Sequence, residues 1–156
     1  GTARIWSAES GECLVKLTGH EAALWSAVVS PDGARVLTCA DDNTAKIWSA
    51  TLDECLLTLS GHEASVLSAV FSPDGACALT GSRDGTGRIW SVEAGECLRV
   101  LIGHKASVLS AAFSPDGTRV LTGSDDDTAK VWCAESGDCL LMLRGEGWAV
   151  ASVGWA

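Results

Sequence analysis

The chain has 156 residues, 47% of them hydrophobic, with seven cysteines and a formal net charge of −9. That excess of acid disfavours nonspecific attraction to nucleic acid or to an anionic membrane surface. No apolar run nears the roughly 20 residues of a membrane-spanning helix, and no basic stretch followed by an apolar one suggests a signal peptide.

Residues 1–6 end on Trp6, and the same tryptophan returns as Trp48, Trp90 and Trp132, 42 residues apart. The pair Gly19-His20 recurs as Gly61-His62 and Gly103-His104, and Ser30-Pro31-Asp32-Gly33 recurs at 72–75 and 114–117. Copies 7–48, 49–90 and 91–132 are identical at 19 of 42 positions, which excludes coincidence. Residues 1–6 and 133–156 are partial copies, so the whole of 1–156 reads as one array and not as several domains. A period of this length predicts a repeat architecture whose units bury their apolar faces only against their neighbours.

Within the copy 49–90, apolar residues alternate over short runs, which predicts half-buried strands and no helix. The first strand is expected at 54–59, where Cys55, Leu57 and Leu59 share one face, and the second at 65–71. Ser-Pro-Asp-Gly then closes a hairpin, because proline presets the first central torsion and glycine accepts the positive φ that ends the turn. A third strand is expected at 77–81, a polar bend at 82–85 and a fourth strand at 86–90. By the same spacing 1–6 is a fourth strand and 147–155 a second strand, and the 12 positions a fourth copy lacks correspond to 31–42.

Cys13, Cys55, Cys97 and Cys139 occupy one repeat position, too far apart in successive units for disulfides whose Cα atoms must approach within about 7 Å. They are expected to be buried free thiols in a reducing compartment. No close cysteine pair or Cys-x-x-Cys offers a metal site, and no cofactor is expected.

Each full copy carries a threonine, a histidine, an aspartate and a tryptophan at fixed offsets: Thr38, His20, Asp42 and Trp48; Thr80, His62, Asp84 and Trp90; Thr122, His104, Asp126 and Trp132. Hydroxyl, imidazole and carboxylate together invite a reading as nucleophilic catalysis. The same groups also satisfy one another: indole N–H only donates, hydroxyl accepts and passes on, imidazole does both and carboxylate only accepts. Two observations favour this structural relay. The set occurs three times, and its threonine lies mid-strand without the exposed sharp turn a nucleophile rides on.

Gly-His, Ser-Pro-Asp-Gly, Leu-Thr-Gly-Ser-x-Asp-x-Thr and Ile-Trp at this period resemble the WD-repeat β-propeller family over almost the whole chain. The resemblance implies an all-β propeller segment: three complete four-stranded blades, each with an outer strand from the neighbouring copy, and incomplete fourth-blade strands at both termini. It also implies a Trp-Thr-His-Asp network in each blade. The sequence departs from the family at the aspartate after the tryptophan, where Ser7, Ser49, Ser91 and Cys133 stand, and at Glu146, which replaces the histidine beside Trp148 and Trp155.

Positions that vary among near-identical copies are free of the scaffold, and the resemblance places partner contacts on the blade tops. The candidates are Glu21, Ala23 and Trp25, then Glu63 and Leu67, then Lys105 and Leu109, with Asp41, Arg83 and Asp125 just before the network aspartates. Trp25 reads either as a binding anchor or as packing in the core or channel, and Arg83 as a contact or a solvated charge. The expected function is a noncatalytic, cytoplasmic scaffold for a protein or peptide partner. The alternatives are a structural or engineered self-assembling module with no dedicated partner and, remotely, an enzyme. Because an open arc leaves sheet edges exposed, two copies are expected to close a ring of seven or eight blades. A competing geometry is a four-blade ring in which 1–6 pairs with the C-terminal residues.

Overall fold

A computed structural model describes residues 1–145, 147 and 149–155, and places fourteen strands and no helix among them. Strands β1 (Thr2–Trp6) and β2 (Cys13–Thr18) form a two-stranded antiparallel sheet. Blade 1 follows as β3 (Leu24–Val29), β4 (Arg35–Ala40), β5 (Thr44–Ser49) and β6 (Cys55–Ser60), paired in chain order. Blade 2 is β7 (Val66–Phe71), β8 (Cys77–Ser82), β9 (Gly87–Ser91) and β10 (Cys97–Leu101). Blade 3 is β11 (Val108–Phe113), β12 (Arg119–Ser124), β13 (Thr128–Cys133) and β14 (Cys139–Arg144). The strands fall within a residue of the expected ones in copy 49–90.

Each sheet straddles two sequence copies, because its outer strand comes from the copy that follows. The blades pack face to face, and the apolar cluster joining blades 1 and 2 includes Leu37, Ile47, Leu59, Val66 and Trp90. Blades 2 and 3 meet over Leu79, Ile89, Leu101, Val120 and Trp132. The β1–β2 pair packs on blade 1 through Leu17, Val36 and Trp48, in the place of an outer half-blade. Strands β4, β8 and β12 are buried on both faces over five consecutive residues, not on one face as alternation predicts, since a neighbouring blade covers each side.

Three expectations need correction. Among the described residues of 147–155 there is no strand, because the hairpin partner that would continue the ladder, equivalent to 35–40, is absent from the sequence. Val150, Val153 and Trp155 nevertheless cover the last blade face, over Leu121, Ala129 and Val131. The four-blade ring does not form, since β1 pairs with β2 and not with the C-terminal residues. The repeated cysteines are free but exposed, because they open the outer strands at the solvent edge; Cys39 is the buried one, and burial pushes its thiol up to about 12.

The two ends of the arc expose what the middle buries. Tryptophan at one repeat position is 56% exposed at Trp6 but 2%, 1% and 1% exposed at Trp48, Trp90 and Trp132. Leucine at another is 1%, 0% and 0% exposed at Leu17, Leu59 and Leu101 but 47% exposed at Leu143.

Candidate functional site

The polar relay is assembled where the chain crosses from one sheet to the next. His20 lies between β2 and β3, Thr38 in the middle of β4, Asp42 in the bend before β5, and Trp48 near the end of β5. Trp48 Nε1 donates to Thr38 Oγ1 at 2.8 Å, and Thr38 Oγ1 lies 2.7 Å from His20 Nε2. His20 Nδ1 is 2.7 Å from Asp42 Oδ2. Blade 2 repeats this at 2.9, 2.8 and 2.7 Å through Trp90, Thr80, His62 and Asp84. Blade 3 repeats it at 2.8, 2.8 and 2.9 Å through Trp132, Thr122, His104 and Asp126. A neutral histidine with its proton on Nδ1 lets every donor in the chain find an acceptor, from indole through hydroxyl to carboxylate.

Sequence reasoning missed two partners of each aspartate. Thr44 Oγ1 donates to Asp42 Oδ1 at 2.6 Å, and the Glu21 amide donates to Oδ2 at 3.0 Å; Thr86 and Thr128 do the same for Asp84 and Asp126. The Asp-x-Thr spacing was the available signal, since a hydroxyl two residues on reaches a carboxylate across a tight bend. Glycine before the histidine is also required, because Gly19 has φ +146 and a Cβ there would lie 3.2 Å from the Trp48 ring. Glu146 and Trp148 lie outside the described residues.

The threonine hydroxyls of all three relays are buried and held between indole and imidazole, while Asp126 and Thr128 of the third line a cavity of about 460 Å³. Burial pushes His20, His62 and His104 below the ordinary 6.5, against the pull of their aspartates. Burial alone would raise Asp42, but hydrogen bonds from Thr44, His20 and the Glu21 amide outweigh it and bring the carboxyl down to about 2. Asp84 and Asp126 are lowered likewise, with Thr86 and Thr128 as their strongest hydrogen-bond partners.

Both groups act on stability with the same sign. The unfolded chain binds protons more readily than the folded one, so the contribution is present near neutrality and is lost on acidification. The histidine part is expected to fade as pH falls below about 6.5 and the aspartate part below about 4. Urea midpoints measured from pH 7.5 down to 4.5 should fall steadily. A rise between 7.5 and 5.5 would instead mean that the imidazoles are charged partners of the aspartates.

The candidate contact residues divide into a connected group and a scattered one. Trp25, 51% exposed and so not a core residue, donates from Nε1 to Asp41 Oδ1 at 2.6 Å. The guanidinium of Arg83, from blade 2, stands 5.5 Å from the centre of the Trp25 ring. The Trp25 hydrogen bond holds the Asp41 carboxyl below its usual value, with Ser65 and the Arg83 charge adding to it. Three residues singled out from sequence thus form one cluster bridging blades 1 and 2 on the Gly-His face. Leu67 and Leu109, half-buried at the position of Trp25, carry no donor for such an arrangement. Glu21, Ala23, Glu63, Lys105 and Asp125 are exposed and outside it.

Among curated proteins none matches the chain. A family model described as "WD domain, G-beta repeat" matches residues 11–49, 53–91 and 95–133, together well over half of the sequence. Such repeats generally serve as protein-interaction scaffolds and are typically noncatalytic. With three tandem matches, four-stranded antiparallel sheets and a relay in each full blade, the chain belongs to the WD-repeat β-propeller family.

Proposed function

We propose that this chain is a noncatalytic scaffold for a protein or peptide partner, and that Trp25, Asp41 and Arg83 form the centre of the contact surface. One observation carries the reading: a large aromatic ring, half open to solvent, is held in place before any partner arrives. The Asp41 hydrogen bond fixes its edge and Arg83 covers its face, a pairing favourable by about 0.5–1 kcal/mol at an exposed site. Anchors ordered in advance lose less entropy on binding, and exposed tryptophan and arginine are enriched at binding hot spots. The buried, hydrogen-bonded threonines of three equivalent relays support a noncatalytic role, and seven free thiols support residence in the cytoplasm.

A second reading, self-association, is supported by the two open ends of the arc. Leu101 packs beside Trp132 in the seam between blades 2 and 3, whereas Leu143 and Trp6, the same two residue types at the same positions, are left half open at opposite ends. Two copies arranged head to tail would bring each Leu143 to the other's Trp6 and complete a ring of seven or eight blades. No dedicated partner is needed in that case.

One preparation separates the readings. The immobilised chain should retain specific proteins from a lysate, and Trp25→Ala should lose them by about tenfold or more. Light scattering on the free chain, with a monomer mass of 16.1 kDa, should report twice that mass if the ends pair. A dimer that retains no specific protein would sink the scaffold reading and leave self-assembly, and retention unchanged by Trp25→Ala would sink the Trp25 surface.

A further inference from the structure

At the Ser-Pro-Asp-Gly end of the strands, opposite the relays, the seam between blades 2 and 3 opens into a cleft of about 810 Å³. Its walls are Ile89, Leu98, Phe113 and Ala134, with Cys77 and Cys133 also lining it. The corresponding seam between blades 1 and 2 is filled: Val92 is 4% exposed there, with Leu57 and Phe71 packed into the same cluster. Five lining positions differ from the sister seam, and two of them lose volume markedly: Ala134 stands where Val92 does, two methyl groups smaller, and Cys77 where Arg35 does, while Arg99 stands where Leu57 does. The guanidinium of Arg99 turns back to the main chain, Nε donating to the Glu135 carbonyl at 2.6 Å and Nη1 to the Leu98 carbonyl at 2.5 Å. The Arg99 methylenes lie against Gly137 as Leu57 lies against Gly95, and the side chains left facing the opening, Ile89, Leu98, Phe113 and Ala134, are apolar.

The rim is acidic. Asp74, Asp116 and Glu135 come from three separate turns, against the single charge of Arg99. Asp74 and Asp116 each use Oδ1 to hold their own turn, Asp116 accepting from Ser114 at 2.6 Å and from the Thr118 amide at 3.0 Å. The Ser114 and Thr118 hydrogen bonds bring the Asp116 carboxyl down to about 2 and so keep it ionised. Phosphates and other anions are disfavoured at such a rim, whereas cations on either side of an apolar group match it. The size lies within the range of about 300–1,000 Å³ typical of ligand sites.

We infer that this cleft is a second docking site, which takes an extended peptide segment of a partner protein with branched aliphatic residues flanked by lysine or arginine. The aliphatic side chains pack against Ile89, Leu98 and Phe113 in the space that Val92 fills in the sister seam and Ala134 leaves open. The flanking cations face carboxylates on three turns, which one small amine does not span. The site lies at the opposite end of the strands from the Trp25 cluster, so a single chain can hold two segments at once.

The probe is a fluorescein-labelled hexapeptide, Lys-Val-Leu-Lys-Leu-Arg, titrated against the whole chain by fluorescence polarisation. Saturable binding is expected, with slower alkylation of Cys77 and Cys133 in the complex. Ala134→Val combined with Arg99→Leu, which restores the two aliphatic side chains of the sister seam, should weaken binding by about tenfold or more. Glu135→Lys, at an exposed position, should weaken it several-fold without touching the seam, and keeps the test valid if the double variant misfolds. The same peptide with glutamate at every basic position should not bind. The inference is overturned by absence of saturable binding, by affinity unchanged from the original chain in the folded variants, or by equal binding of the acidic peptide. Equal shielding of the two cysteines by hexanol would also overturn it, since the cleft would then be a site for small apolar molecules.

Discussion

Trp90→Ala is expected to cost the fold about 3–5 kcal/mol, while Trp6→Ala at the same repeat position costs under about 1 kcal/mol. Trp90 is 1% exposed and lies in the cluster that joins blades 1 and 2, against Leu59 and Ile47. Removing it leaves a large cavity in a seam whose backbone is held by ladders on both sides, so little collapse is available. Trp6 is 56% exposed, lies on a two-stranded sheet and has no threonine to accept its N–H. Urea unfolding followed by far-UV circular dichroism reads both. Equal losses at the two positions would mean that the sequence repeat sets the energy, and not the burial.

Thr80→Val should destabilise by about 2–4 kcal/mol although it keeps the shape of the side chain. The change strands two buried groups at once. Trp90 Nε1 loses its acceptor at 2.9 Å, and His62 Nε2 loses its donor at 2.8 Å. Thr80 is 0% exposed, so water does not replace the hydroxyl. Thr80→Ser keeps the hydroxyl and deletes one methyl group, at a cost of about 1 kcal/mol. The Trp90 indole proton resonance should shift in the valine variant and stay in place in the serine variant. If valine and serine cost the same, the relay contributes packing and no net hydrogen bonding.

Much of this was legible in the sequence because a period fixes position without any knowledge of contacts. Thr38, His20, Asp42 and Trp48 lie far apart in the chain, yet their offsets recur, and only groups that meet in space keep such offsets together with complementary chemistry. The same repetition hid what depends on neighbours. The alternation in 77–81 speaks of one covered face, whereas β8 is buried on both because blades 1 and 3 flank it. Cys55 begins an apolar run and reads as interior, but it opens an outer strand at the solvent edge. The segment 147–155 keeps the apolar spacing of an inner strand, with Val150 aligned to Val108, and so reads as one. Spacing cannot supply the ladder partner that a strand needs. The cleft escaped sequence reasoning for a related reason: Ala134 in place of Val92 looks conservative until the sister seam shows what the two methyl groups filled.

The outer strands β6, β10 and β14 all begin with cysteine and leucine, and each closes a sheet built by the copy before it. Chemically, then, they are nearly interchangeable keys for one lock, and connection length is what selects among them. β6 follows β5 after five residues, whereas β10 lies 47 residues beyond β5. The entropy of closing the longer loop disfavours the wrong partner by only about 2 kcal/mol. That margin is narrow for a nascent chain, in which β6 must emerge before blade 1 can shut. At high concentration the same near-degeneracy lets one molecule lend its strand to another's sheet, so domain-swapped chains are a built-in hazard of copying a repeat too faithfully.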